Sequence, residues 1–350
     1  STLFPYTTLF RSYFKFIRKL KPIRKFIFQV DDFPTKSIIK EFSEMTKHLS
    51  NVVDLQFSIK VSRKFPTKIN DSWLIGLRNG IARLHKLQRL STQLVGINAI
   101  KSIMMGLGFS QKIKHLSLVL APLNSKVKSD YLQIVNSYIT RFPKLNSLNL
   151  DIMDSFETKK IDSLITPISA LPLIQAGIHI NFCFWEASGK NSYSPLFTFL
   201  GTKKLRSLKL TIQDFNFEEK TYNDSLKMFQ SLEELRILSV NFYGTIDHFK
   251  FIQGLVHVKN LEELELDINP TEQFHHIMDL IAGFSNLKSF KLICYSVKGV
   301  WKDIYAQSYA EALEKLKNLR VVHFKMEGPT CITIKHANQI AKPIKSLKSL

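Results

Sequence analysis

Residues 259–268 read KNLEELELDI, and the same pattern returns as PKLNSLNLDI at 143–152, KKLRSLKLTI at 203–212 and SNLKSFKLIC at 285–294. In each, apolar residues fill the first, fourth, sixth and eighth places of a frame, as Leu261, Leu264, Leu266 and Ile268 do. The last three alternate with polar residues, as a short half-buried strand requires. The first apolar residue tucks the turn that leads into the strand.

The frame recurs outward in both directions. It starts at Ile23, Val52, Leu87, Ile113, Leu145, Leu173, Leu205, Leu235, Leu261, Leu287 and Leu319, and begins again at Leu347. The sixth copy is read as Leu173, Ala176, Ile178 and Ile180. Starts lie 26 to 35 residues apart, with a mean of about 29. A random apolar chain would scatter such hits.

Segments between frames have helical period. Ile38, Phe42, Met45 and Leu49 share one face, as do Leu132, Val135, Ile139 and Phe142, and Phe274, Ile277, Ile281 and Phe284. Each unit is therefore strand, loop, helix, loop. One unit cannot bury its own apolar faces, but stacked units share a core. Strands joined through helices run parallel with right-handed crossovers. The expected fold is α/β: a right-handed solenoid, a horseshoe with a parallel sheet on its concave face and helices on its convex face. Residues 1–19 are expected to be a non-repeat leader. Residues 20–350 hold about eleven complete repeats and a truncated twelfth, which points to a fragment of a longer protein. Asn70-Asp71-Ser72 and Asn223-Asp224-Ser225 precede apolar helical segments and offer N-caps. Both match the glycosylation triplet, a reading that the lack of a secretion signal disfavours.

Over roughly residues 20 to 350 the sequence resembles leucine-rich-repeat proteins. It is most similar to the long, helix-containing intracellular class of ribonuclease-inhibitor-like and F-box-associated repeats. The resemblance implies a rigid module for binding proteins, with a cytoplasmic location and the nucleus left open. It also implies an Asn or Cys after the last strand residue that ties neighbouring loops together. Asn181 and Asn269 lie near that place, whereas most repeats lack it.

Composition narrows the function classes. The 350 residues are 45 % apolar and 22 % charged, which excludes wholesale disorder. No stretch approaches 18 apolar residues, so no transmembrane segment is expected. Cys183, Cys294 and Cys331 lie far apart, which excludes a disulfide framework and a CxxC pair. Cys294 fills a frame position and reads as a buried small apolar residue. Ser1–Ser12 fit no later pattern and make a poor signal peptide; they read as an adapter-derived or disordered leader.

The charge is +20, from 49 Lys and Arg against 29 acids. Such a charge invites nucleic acid or an anionic membrane. Only 11 of the 49 are Arg, the usual reader of bases and phosphates, and the Phe-, Ile-, Asn- and Lys-rich composition suggests an AT-rich genome. The basic excess is densest near the two ends.

Function in such a fold is expected on the outward strand residues. One column runs through Ser117, Asn149, Gly177, Lys209, Ser239, Glu265, Lys291 and His323. The next runs through Val119, Asp151, His179, Thr211, Asn241, Asp267, Ile293 and Lys325. From these, Asn149, Asp151, His179, Lys209, Thr211, Asn241, Glu265, Asp267, Lys291 and Lys325 are the candidate interaction residues. The columns are mixed and polar rather than a basic stripe. Glu262, Glu263, Glu265 and Asp267 crowd one repeat beside Lys209 and Lys291, which reads as a docking patch or as cross-repeat charge pairing.

The expected partner is an unidentified protein. RNA or a membrane, met through the basic ends, is the alternative; a catalytic or ubiquitin-ligase adaptor context outside this stretch is a third. The sequence holds no GxxxxGK[ST], HExxH, CxxC or GxSxG pattern, so no enzyme activity, cofactor, metal or small-molecule substrate is expected. His275 and His276, adjacent on one helix, are expected to point about 100° apart as a surface pair.

Overall fold

A computed structural model describes residues 23–30, 42–59, 71–95, 97–108, 111–121, 137–152, 177–182, 193–214, 217–244, 247–295, 301–327, 332–345 and 347. The chain divides into two compact units, Ser1–Pro172 and Leu173–Leu350.

In the first unit five parallel strands lie in chain order: β1 (Lys25–Val30), β2 (Asp54–Ile59), β3 (Arg89–Val95), β4 (His115–Ala121) and β5 (Ser147–Ile152). Helices α1 (Asp71–Ala82) and α2 (Ile97–Leu107) pack against each other. The second unit has six parallel strands in chain order: β6 (Gly177–Phe182), β7 (Ser207–Asp214), β8 (Ile237–Gly244), β9 (Glu263–Ile268), β10 (Ser289–Tyr295) and β11 (Val321–Glu327). Its helices are α3 (Ser194–Gly201), α4 (Glu219–Ser231), the short α5 (His248–Ile252) continued by a 3₁₀ turn, α6 (Phe274–Ala282), α7 (Asp303–Lys315) and α8 (Ile334–Ile344). Within each unit this is the α/β leucine-rich-repeat fold, with one strand per apolar frame.

The frame residues explain the packing. Val52, Leu87, Ile113, Leu145, Leu205, Leu235, Leu261, Leu287 and Leu319 are wholly buried. Val52, Leu87, Leu145, Leu235, Leu287 and Leu319 fold their turns inward by a backbone bond to the residue three before; the Leu287 N–H donates to the Phe284 carbonyl at 3.1 Å. The next two N–H groups then reach the previous repeat. Those of Lys288 and Ser289 donate to the Glu262 carbonyl at 2.8 and 3.0 Å, and the same pair recurs from turn to turn. Leu264, Leu266 and Ile268 follow as buried strand positions beneath the helices.

Side chains add a second ladder to this stack. Asn260, Asn286 and Asn318 donate from Nδ2 to the carbonyls of Glu233, Lys259 and Ser285, at 3.0, 3.1 and 2.8 Å. Each sits immediately before the first frame leucine, not after the last strand residue where the family resemblance places its tie. Asn286→Ala is expected to lower stability by about 0.5–1.5 kcal/mol, one hydrogen bond's worth. Urea unfolding measures it, and an unchanged midpoint would dismiss the ladder as structural support.

Two expectations are corrected. Helix α4 begins at Glu219, so Asn223-Asp224-Ser225 lie inside it rather than at its cap. Burial of Thr221 and Tyr222 draws the first turn onto the core, and the Ser225 Oγ donates to the Tyr222 carbonyl at 2.7 Å. The sixth frame is shifted by two residues, because Ile178 pairs in register with Leu208 and Ile180 with Leu210. The alternation Ile178, Ile180, Phe182 fits a strand as well as Ala176, Ile178, Ile180 does, so apolar pattern alone leaves the register open. Asn70, Ile38, Leu132, Val135, Cys183, Cys331 and the leader lie outside the described residues.

Candidate functional site

The outward face of β7–β11 gathers the larger share of the candidates. Register fixes the first row as Lys209, Ser239, Glu265, Lys291 and His323, and the second as Thr211, Asn241, Asp267, Ile293 and Lys325. His179 joins the first row opposite Lys209, and Asn181 takes the second opposite Thr211. This corrects the placing of His179 in the second column. Asn149 and Asp151 belong to β5 of the first unit, where the Asn149 Nδ2 donates to Ser117 Oγ at 3.0 Å.

Outward polar side chains of neighbouring strands lock together across the sheet. Ser239 Oγ donates to Glu265 Oε2 at 3.2 Å, and Lys291 Nζ donates to Glu265 Oε1 at 2.5 Å. Burial tends to raise the Glu265 carboxyl. The bond and charge of Lys291, with Lys209 and Ser239, outweigh it and hold the group below its ordinary value. Lys325 pairs with Glu327 on β11. Glu262 lies outside this face, on the turn before β9, clamped between Arg236 at 3.1 Å and Lys288 at 2.7 Å. The acidic cluster is thus divided between two surfaces by cross-repeat pairing.

Asp267 is the unusual member. It is 2 % exposed, and the Tyr295 hydroxyl donates to its Oδ2 at 2.9 Å. Among the described residues its Oδ1 has no partner, and the buried Oδ1 atoms of Asn241 and Asn269 have none either. Burial raises the Asp267 carboxyl against the pull of that Tyr295 bond. Nearby Glu327 and Glu265 push it further, to about 6. Thr211 is also buried, at 5 % exposure. An outward strand position does not by itself keep either residue in water. Adjacent strands set outward side chains about 4.8 Å apart, so a short side chain between neighbours lies below the reach of water.

Tyr295, Ser239 and Glu327 were not among the candidates. Ser239 belongs to the first outward column, but nothing in one sequence marks it as a partner of Glu265. Tyr295 and Glu327 lie one step beyond the frame's last position, and a third outward row would have found them.

The Cys294 thiol is buried and pushed well up by that burial, as its frame position implied. His275 and His276 do not diverge: their rings lie 3.8 Å apart, centroid to centroid, because exposed side chains on adjacent residues are free to fold toward each other. No group of three metal-ligating side chains occurs among the described residues. No described helix is long and apolar enough to cross a membrane.

No protein-family model matches the chain, and no curated protein matches its sequence. Solved structures do resemble it. The leucine-rich repeat-containing protein LegL7 of Legionella pneumophila is 13 % identical over 93 % of this chain and 100 % of its own, with a TM-score of 0.49. A chain of the yeast Rad7–Elc1 complex is 14 % identical over 96 % of this chain and 84 % of its own, also at 0.49. A Bacteroides fragilis protein is 18 % identical over 67 % of this chain, which spans 64 % of that protein's chain, at 0.42.

Proposed function

We propose that the chain is a protein-interaction module that grips a partner on the outward face of β7–β11. The observation that supports this most is the ordered Ser239–Glu265–Lys291 hydrogen-bonded row, whose half-exposed carboxylate and ammonium stand at the surface of that face. A partner segment of complementary charge would meet them with charge-assisted hydrogen bonds. The face is already ordered, so little side-chain entropy is lost on contact. An adaptor or scaffold role follows from this reading.

The test is affinity purification of the full-length protein with mass spectrometry, followed by variants. Charge reversal by Glu265→Lys, and separately Asn241→Ala, is expected to reduce capture of a specific partner at least tenfold. Glu311→Lys on the helix face is expected to leave capture intact. If only the helix variant reduced it, the sheet face would be the wrong surface.

A further inference from the structure

The net charge is not shared by the two units. Residues 1–172 hold 27 Lys and Arg against 11 Asp and Glu, and residues 173–350 hold 22 against 18. In the first unit the excess is organised. Lys86, Lys112 and Lys144 each stand immediately before the first frame residue, on the turns leading into β3, β4 and β5. Those turns are stacked by backbone bonds. The N–H groups of Lys114 and His115 donate to the Gln88 carbonyl at 2.8 and 3.0 Å, and those of Asn146 and Ser147 to the Lys114 carbonyl at 2.9 and 3.0 Å. Arg89, Lys114 and Arg141 join the same edge; Arg141 lies over the Tyr138 ring at 4.7 Å, and Arg89, Lys112, Lys114 and Lys144 have no hydrogen-bond or ion-pair partner among the described residues. Lys86 donates to Asn51 Oδ1 at 2.6 Å, a neutral acceptor. The facing carboxylate among the described residues is Asp54, in register with Arg89. His115 lies within the row; burial first, then the charges of Arg89 and Lys114, hold its imidazole below the ordinary value.

The second unit treats the same positions differently. There three of the residues before the frame, Asn260, Asn286 and Asn318, are spent on turn-to-turn hydrogen bonds, while Lys204 and Glu234 hold the same place in two other repeats. Arg206 pairs with Glu234 at 3.9 Å, and Arg236 and Lys288 pair with Glu262, whereas Lys204 and Arg320 have no polar partner among the described residues. Along β3–β5 the described residues form neither an amide ladder nor an edge ion pair, and like charges stand about 4.8 Å apart per strand. Composition alone does not confine that choice to one edge.

We propose that the turn edge of β3–β5 docks the phosphate backbone of a double-stranded nucleic acid. Rows of lysine suit point contacts to phosphate without reading bases. No large apolar side chain is exposed on this edge among the described residues, as membrane insertion would want. The aromatic ring beside this edge among the described residues, that of Tyr138, is half-buried with the Arg141 guanidinium over it at 4.7 Å, so it offers no free face on which single-stranded bases could stack. The site is independent of the sheet face proposed above.

Fluorescence anisotropy tests it on the full chain, using a 20-bp duplex of two unrelated sequences, a single strand of equal length and phosphatidylserine vesicles. With about six phosphate contacts, duplex affinity is expected to fall roughly 10³-fold between 50 and 200 mM salt. Lys112→Gln with Lys144→Gln is expected to weaken both duplexes alike and to lower the log–log salt slope by about 2. Lys288→Gln and Glu265→Lys are expected to leave that slope unchanged. No duplex binding at 50 mM salt, an unaltered slope in the double variant, or tighter binding to vesicles or to the single strand than to duplex would each overturn the proposal.

Discussion

Phe251→Ala is expected to lower the unfolding free energy by about 3–5 kcal/mol, near the upper end for a single core truncation. The residue is wholly buried on α5, a helix of five residues with little stability of its own. Its ring meets those of Phe197, Phe229 and Phe242 edge-on, at centroid distances of 5.5, 5.6 and 5.1 Å, and lies 6.3 Å from Phe217. These rings come from α3, α4, β8 and the segment before α4, so one side chain joins successive repeats. Truncation opens a cavity lined by rigid aromatics that cannot collapse into it. Calorimetry or urea unfolding reads the loss directly. A change below about 1 kcal/mol would mean that the aromatic cluster is not a shared core.

Asp267→Asn is expected to stabilise the protein at pH 8, by about 1–3 kcal/mol. In the folded chain this carboxyl is raised to about 6, so it is ionised at pH 8 in a buried position where ionisation is unfavourable. The sign follows from proton binding. Between the ordinary carboxylate range and pH 6 the folded chain holds a proton that the unfolded chain has released, so stability falls as pH rises through that window. Above it the penalty is complete; below it the penalty is absent. Asn keeps an acceptor for the Tyr295 hydroxyl and carries no charge. The gain is therefore expected in full at pH 8 and gone by about pH 3. His248 contributes an opposite trend in both chains. Burial pushes its imidazole down to about 4, and stability is lost as pH falls from the unfolded histidine value toward 4. The difference between variant and parent isolates Asp267. A variant less stable than its parent at pH 8 would show that the ionised carboxylate is well partnered.

Much of this molecule was legible in its sequence. The frames placed the strands of the described repeats, apart from the two-residue slip at β6. Leu261, Leu264, Leu266 and Ile268 proved buried as the alternation required. The reason is that an apolar side chain at strand period has one favourable place, and repetition removes the ambiguity of any single copy. Cys294 was readable for the same reason. Legibility failed where identity depends on neighbours far along the chain. Nothing in the order of residues joins Tyr295 to Asp267, or Ser239 to Glu265, because those bonds cross 28 and 26 residues and depend on register between strands. Nor could it tell that Asn260, Asn286 and Asn318 bond from turn to turn, whereas Lys112 and Lys144, at the same place in their repeats, have no polar partner among the described residues.

What the sequence determined alone was the repeat, since local apolar period and turn chemistry act within each strand-helix unit. What tertiary structure alone decided was which polar groups find partners. Burial and pairing are properties of stacked strands, and a side chain such as Asp267 becomes buried and raised in pKa only when its neighbours on β8 and β10 close beside it.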